Sequence, residues 1–186
     1  MSDYIRIQSG QLLLSEPFML DQHFHRAGVL ICQHGEGGTL GFILNREQRQ
    51  NIGDLIPDLE DFDAKVYYGG PVSTDAVQYL HTRGDLLEDS MEVIPGVFWG
   101  GDFEKLKFFV RNGMLHPDEI RFYRGYTGWS TGQLAEEMRR RDWLITDGHG
   151  DYVFQDKPQN LWREVMAGEG NFRTPLAFLP GTEVMN

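Results

Sequence analysis

Two short apolar runs on either side of a glycine cluster constrain this chain most. Val29-Leu30-Ile31-Cys32 is continuously apolar, as suits a strand buried on both faces, and Leu40-Gly41-Phe42-Ile43-Leu44 follows closely after Gly35-Glu36-Gly37-Gly38. So short a connection cannot make the crossover that a parallel pair needs. Gly28 to His34 and Leu40 to Leu44 are therefore expected to form an antiparallel hairpin. The glycines between them are expected to serve the backbone of the turn, since glycine enters positive φ without steric cost. The cluster lacks the Gly-Lys-Ser/Thr end of a phosphate-binding loop, and no dinucleotide fingerprint opens a helix.

The same punctuation runs along the whole chain, whose 22 glycines sit singly or in short clusters between apolar runs, with no repeat or linker. Leu12 to Leu14 reads as a first strand, and Asn45-Arg46 ends the third. Asn51 to Ile56 reads as a short helix, and Asp58 to Asp63, with four acids, as an exposed loop. Lys65 to Tyr68 and Ala76 to Thr82 read as strands around the turn Gly69-Gly70-Pro71, with a further strand at Val97 to Gly100. Asp102 is placed to cap a helix with an apolar face of Phe103, Leu106, Phe109 and Val110, ended by Gly113. Ile120 to Tyr126 is another strand, and Ser130-Thr131-Gly132-Gln133 has capping-box spacing ahead of Leu134 and Met138. Trp143 to Thr146 and Tyr152 to Phe154 read as short strands. Asn160 is placed to cap a last helix, with Leu161, Trp162, Val165 and Met166 inward and Gly168 and Gly170 closing it. Strands dominate, without the regular alternation of a doubly wound sheet. The expected class is α+β: a mixed or mainly antiparallel, barrel-like β-sheet flanked by a few helices, in a single domain over residues 1–186.

Charge narrows the partners. Against 17 basic side chains stand 28 acidic ones, a net charge of −11 that repels phosphate backbones and anionic lipid. The dense basic stretch, Arg139-Arg140-Arg141 with Arg121 and Arg124 upstream, reads as a solvated helix end beside the negative pole of its dipole. Direct nucleic-acid binding and membrane association are not expected. Cys32 is the sole cysteine, which excludes an intrachain disulfide, and Leu12 to Leu14 is too short for a signal or a membrane span, so a cytoplasmic location is expected.

Side chains with chemical potential are few. His23 and His25 lie two apart with Asp21 near, but a metal signature needs at least three ligands at recognisable spacing, and no metal or other cofactor is expected. Cys32 and His34 share the same spacing on a strand, where a cysteine in an apolar run is expected to be a small buried hydrophobe. No Gly-x-Ser-x-Gly elbow occurs. His81, Arg124, Tyr126 and Trp129 fall at or beyond strand ends, where a rigid scaffold holds ligand groups.

Those segments also carry a family likeness. The chain resembles the YqgE/AlgH family of bacterial proteins over about Gly10 to Trp162. The likeness rests on Leu13-Leu14-Ser15-Glu16-Pro17 with Asp21 and Phe24, then His34 through Gly41-Phe42-Ile43-Leu44-Asn45-Arg46, then Gly69-Gly70-Pro71-Val72 with Leu80-His81. Gly125 through Trp129, Gly132-Gln133-Leu134 and Trp143-Leu144 complete it. The resemblance implies a compact fold with a barrel-like sheet and a cytosolic bacterial protein, but no catalytic mechanism. Glu47 stands where the family commonly places proline, which puts a rigid turn there in doubt, and His23 and His25 fall where the pattern is free. Some members of the family are labelled transcriptional regulators.

The expected function is a non-enzymatic binding module with an indirect regulatory role, engaging a protein or small-molecule partner. Its candidate site residues are His34, Asn45, Arg46, Gly69, Gly70, Pro71, His81, Tyr126 and Trp129. The alternatives are a transcriptional regulator that contacts DNA directly and an enzyme using His34 or His81 as an acid–base group.

Overall fold

The computed structural model describes residues 6–168. Among them, ten strands share one sheet: β1 (Gln11–Ser15), β2 (Gly28–Gly35), β3 (Gly38–Ile43), β4 (Glu47–Asn51), β5 (Lys65–Tyr68), β6 (Val72–His81), β7 (Met91–Ile94), β8 (Val97–Trp99), β9 (Ile120–Trp129) and β10 (Trp143–Asp147). Four helices flank it: α1 (Phe103–Arg111), α2 (Gln133–Arg139), α3 (Gly150–Phe154) and α4 (Leu161–Gly168). The strand order is β10-β1-β2-β3-β9-β6-β8-β7, antiparallel at each pairing, with β4 and β5 off that path. The sheet curls into a half-barrel. A Cβ on Gly10, which leads into β1, would lie 2.8 Å from the Val93 carbonyl oxygen of β7. The chain is thus α+β, as its glycine-punctuated strands imply.

Strand β9 organises the rest. One edge takes β6, while the other takes β5 in parallel (Val66 to Tyr68 against Phe122 to Arg124) and then β3 in antiparallel (Thr39 to Gly41 against Trp129 to Thr127). The changeover falls at Gly125, at φ 67°, where Gly69 and Gly70 cross over it. A Cβ on Gly69 would sit 2.3 Å from the Gly125 carbonyl oxygen, and one on Gly125 2.4 Å from that of Gly70. Only glycine lets these two backbones meet. Successive β9 side chains alternate between clusters: Ile120 and Phe122 pack outward with Leu106 and Ile52, while Tyr123 packs inward with Phe42, Tyr67 and Leu80. A third cluster beneath α2 joins Trp129, Leu134, Met138 and Trp143 to Val29 and Ile31.

The β2–β3 hairpin forms as the two apolar runs require, closing at Gly35 opposite Gly38. Asp102 caps α1 by accepting from the Glu104 and Lys105 N–H groups. Several elements differ from the sequence reading. The chain does not leave the sheet at Arg46. Glu47, in place of the proline that the resemblance implies, begins β4 opposite Tyr67. Asp58 to Asp63 is not simply an exposed loop, because a 3-10 turn at Pro57–Leu59 buries Leu59 and Phe62 in the outer cluster. Tyr152 to Phe154 is helical within α3, not a strand: packing of Val153 into the inner cluster overrides the β preference of Tyr-Val-Phe. The cap of α2 is Gly132, at φ 78°; of the expected capping box one half forms, the Gln133 side chain accepting from Ser130 N at 3.0 Å, while Ser130 Oγ donates to that same side chain instead of capping. Asn160 ends a 3-10 turn, Pro158–Asn160, that runs straight into α4. Gly170 lies outside the described residues. Among those described, no helix is long and apolar enough to cross a membrane.

Candidate functional site

At one end of the curled sheet, registered pairs align side chains across four strands. Gln33 faces Leu40, Leu40 faces Gly128, and Val72 faces Tyr126, two residues from Gly128 on the same face. Gly128 leaves a gap where a side chain would stand. The result is an open trough of about 500 Å³, lined by Gly128, Leu40, Val72 and Tyr126 and, at the hairpin tip, by Gly35, Glu36 and Gly37.

The walls are held rigidly. Thr131 Oγ1 donates to the Glu36 carbonyl oxygen at 2.7 Å and ties down the tip. The indole N–H groups of Trp129 and Trp143 both donate to one Glu137 oxygen, at 2.9 and 2.8 Å, and Gln133 donates to the other at 3.0 Å. Trp129 and Trp143 also meet edge to face at 5.8 Å, with Phe24 against both rings. Helix α2 thereby fixes the end of β9 through a single carboxylate. The Thr39 hydroxyl lies 2.7 Å from His34 Nδ1, which places His34, exposed, beside the trough.

The glycines here differ from one another. Gly38 is at φ 114°, and a Cβ on it would lie 2.3 Å from the Trp129 carbonyl oxygen, so turn geometry requires it, as expected. Gly35 and Gly37 need neither positive φ nor space: nothing lies within 4 Å of a Cβ built on either. Gly128 has ordinary φ, and its Cβ would make only ordinary contacts, with the Tyr126 ring at 3.4 Å and Val72 at 3.9 Å. Among the described glycines, Gly168 at the end of α4 is the one other with open space and ordinary φ.

Of the residues singled out from sequence, Tyr126 and Trp129 line the trough and His34 flanks it. Gly69 and Gly70 are buried at the β9 crossing, with Pro71 exposed beyond them. Asn45 and Arg46 pin the connection between β1 and β2. Asn45 Oδ1 accepts from Gly28 N at 2.9 Å, its Nδ2 donates to the Arg26 carbonyl at 2.8 Å, and Arg46 donates to the His25 carbonyl. His81 is wholly buried, with Nε2 donating to the Gly100 carbonyl at 2.9 Å and Nδ1 accepting from Arg83 N at 3.1 Å. Burial holds its pKa below the usual histidine value. Both nitrogens are committed to the backbone, so His81 has no proton to exchange with a substrate.

Cys32 and His34 do not form a pair. A bulge between Ile31 and Gln33 breaks the alternation, leaving Cys32 in the inner cluster and His34 at the surface. Burial pushes the Cys32 thiol pKa far up. Asp21 accepts from His23 N at 2.8 Å, His23 Nδ1 meets Tyr68 Oη at 2.6 Å, and His25 Nδ1 meets the Met19 carbonyl at 3.1 Å. Among the described residues, no three His, Cys, Asp or Glu side chains are grouped to hold a metal ion. Arg139 ends α2, Arg140 pairs with Asp142 at 2.9 Å, and Arg121 lies against the rings of Tyr67 and Phe154.

The sequence reading missed Gln33, Leu40, Val72 and Gly128 as neighbours and Glu137 as the clamp. No local signal marks them, because their meeting depends on β3 and β6 flanking β9.

The chain is thus an α+β half-barrel with an open trough, lined in part by glycines, at one end. The family model DUF179, described as AlgH-like, matches residues 12–171, and the chain belongs to that family. It is 38% identical over 170 residues to a UPF0301 protein of Chlorobium phaeobacteroides, covering 91% of each. It is 37% identical over 186 residues to a UPF0301 protein of Chlorobium chlorochromatii, covering 100% of this chain and 99% of that one. The solution structure of the AlgH protein from Pseudomonas aeruginosa is similar, with TM-score 0.70 and 26% identity, covering 92% of this chain and 94% of that one. A crystal structure of a Corynebacterium diphtheriae protein shares the fold at TM-score 0.78 and 21% identity, covering 94% and 93%.

Proposed function

We propose that this chain is a non-enzymatic, cytoplasmic binding module whose partner lies in the trough between the hairpin tip and the end of β9. One observation carries the reading. Gly35 and Gly37 are glycines that neither the backbone nor the packing requires, and both line the same trough. A glycine standing where a side chain would fit suits a site at which a ligand approaches the backbone closely. Tyr126 and Leu40 then supply apolar contact. Any effect on gene expression would pass through that partner, since the acidic surface disfavours direct contact with DNA.

The test compares the wild-type protein with a Gly35→Gln, Gly37→Gln double variant, both purified from the native host. Melting temperatures are expected to match, while native mass spectrometry and co-purification show the bound species only in wild type. A folded double variant that keeps every species found with wild type removes the reading.

A further inference from the structure

We infer that the trough takes a short, extended segment of a basic polypeptide, an assignment that rests on the binding role proposed above and names its partner class. Shape comes first. The trough is an open channel that crosses β2, β3, β9 and β6 in turn. Strands about 4.8 Å apart give those four a span of roughly 14 Å, which an extended chain rising about 3.3 Å per residue covers with about four residues. The bare backbone at Gly35, Gly37 and Gly128 leaves room for such a chain to approach closely. Leu40, Val72 and Tyr126 offer apolar contact to alternate side chains along it.

Charge selects among such chains. Among the residues that line the trough, Glu36, exposed, is the charged one, and none is a lysine or arginine. The trough thus carries a carboxylate and no cation on a protein of net charge −11, so the general field attracts a cationic segment and Glu36 gives it a local partner. An acidic segment meets repulsion from both.

The experiment uses three capped hexapeptides, alternating valine with lysine, glutamine or glutamate, titrated into the full chain at low and raised ionic strength. Wild type is expected to bind the lysine peptide most tightly. Glu36→Lys, at an exposed turn position, weakens that binding by roughly fivefold or more, the scale of an exposed ion pair lost and replaced by repulsion. Gly35→Gln, which has open space for its side chain, weakens the lysine and glutamine peptides alike, with an unchanged melting temperature. The inference is overturned if neither variant changes lysine-peptide binding, for the attraction is then diffuse. A preference for the glutamine or glutamate peptide, or no binding of any of the three, overturns it too. In these cases a Gly35-dependent species in native mass spectrometry still upholds the trough as a site, so the two readings fail separately.

Discussion

Glycines at two places in this molecule do opposite things. Where β5 gives way to β3 along β9, Gly69, Gly70 and Gly125 are enclosed by backbone, and any Cβ there collides with a carbonyl oxygen or peptide carbon at 2.3 to 2.4 Å. At the hairpin tip Gly35 and Gly37 face open space with ordinary φ. The first set is explained completely by folding, and the second is not explained by folding at all. A glycine motif is equally visible in both, so visibility alone does not separate glycines that the fold requires from those it does not. The space around an added methyl group does.

Substitutions sharpen this contrast. The largest effect is expected for Gly125→Ala, which adds a Cβ at positive φ against the Gly70 carbonyl. It should lose about 3 kcal/mol or more of stability in urea unfolding. Next comes Glu137→Ala, which leaves the Trp129 and Trp143 indole N–H groups without their acceptor. A loss of about 1–3 kcal/mol and a shift in tryptophan fluorescence are expected, because Glu137 holds one wall of the trough.

A smaller, pH-dependent effect comes from His81. Its folded-state pKa is lowered by burial, so the unfolded chain takes up the proton first. Its contribution is complete above the ordinary histidine value and declines as pH falls through that value toward the lowered one. Urea midpoints measured from neutral pH downward should therefore fall more steeply for wild type than for His81→Gln. The smallest effect belongs to Gly35→Ala and Gly37→Ala, whose unfolding midpoints should stay within about 0.5 kcal/mol of wild type. A large loss there would erase the contrast between the two sets.

Much of the fold was legible because local rules agreed with it. The hairpin, the Asp102 cap and the inward face of α4 all follow from spacing and capping chemistry. What escaped was either too polar or too distant. Strand β4 reads Glu-Gln-Arg-Gln-Asn, with no apolar alternation, and registers with β5 only at its two ends. The parallel pairing of β5 with β9 joins segments far apart in sequence, which no local pattern announces. The candidate trough was legible in part: Tyr126 and Trp129, which line it, stood out as aromatic residues near strand ends. Gly35 and Gly37 were visible but were assigned to the turn, since only the built hairpin shows that Gly38 alone supplies its positive φ. His81 stood out for its chemistry, and its surroundings turn that chemistry inward.

Because β9 lends a single edge to two different strands, neither β3 nor β5 can be fully hydrogen-bonded until a segment from late in the chain arrives. Assembly must wait on contacts between distant parts of the sequence, which slows folding relative to a protein of local contacts. It also makes the two regions that β9 serves hostages to each other, so that peeling either strand away frays the seam for both. The trough at the far end of that seam is therefore only as well shaped as the crossing beneath it.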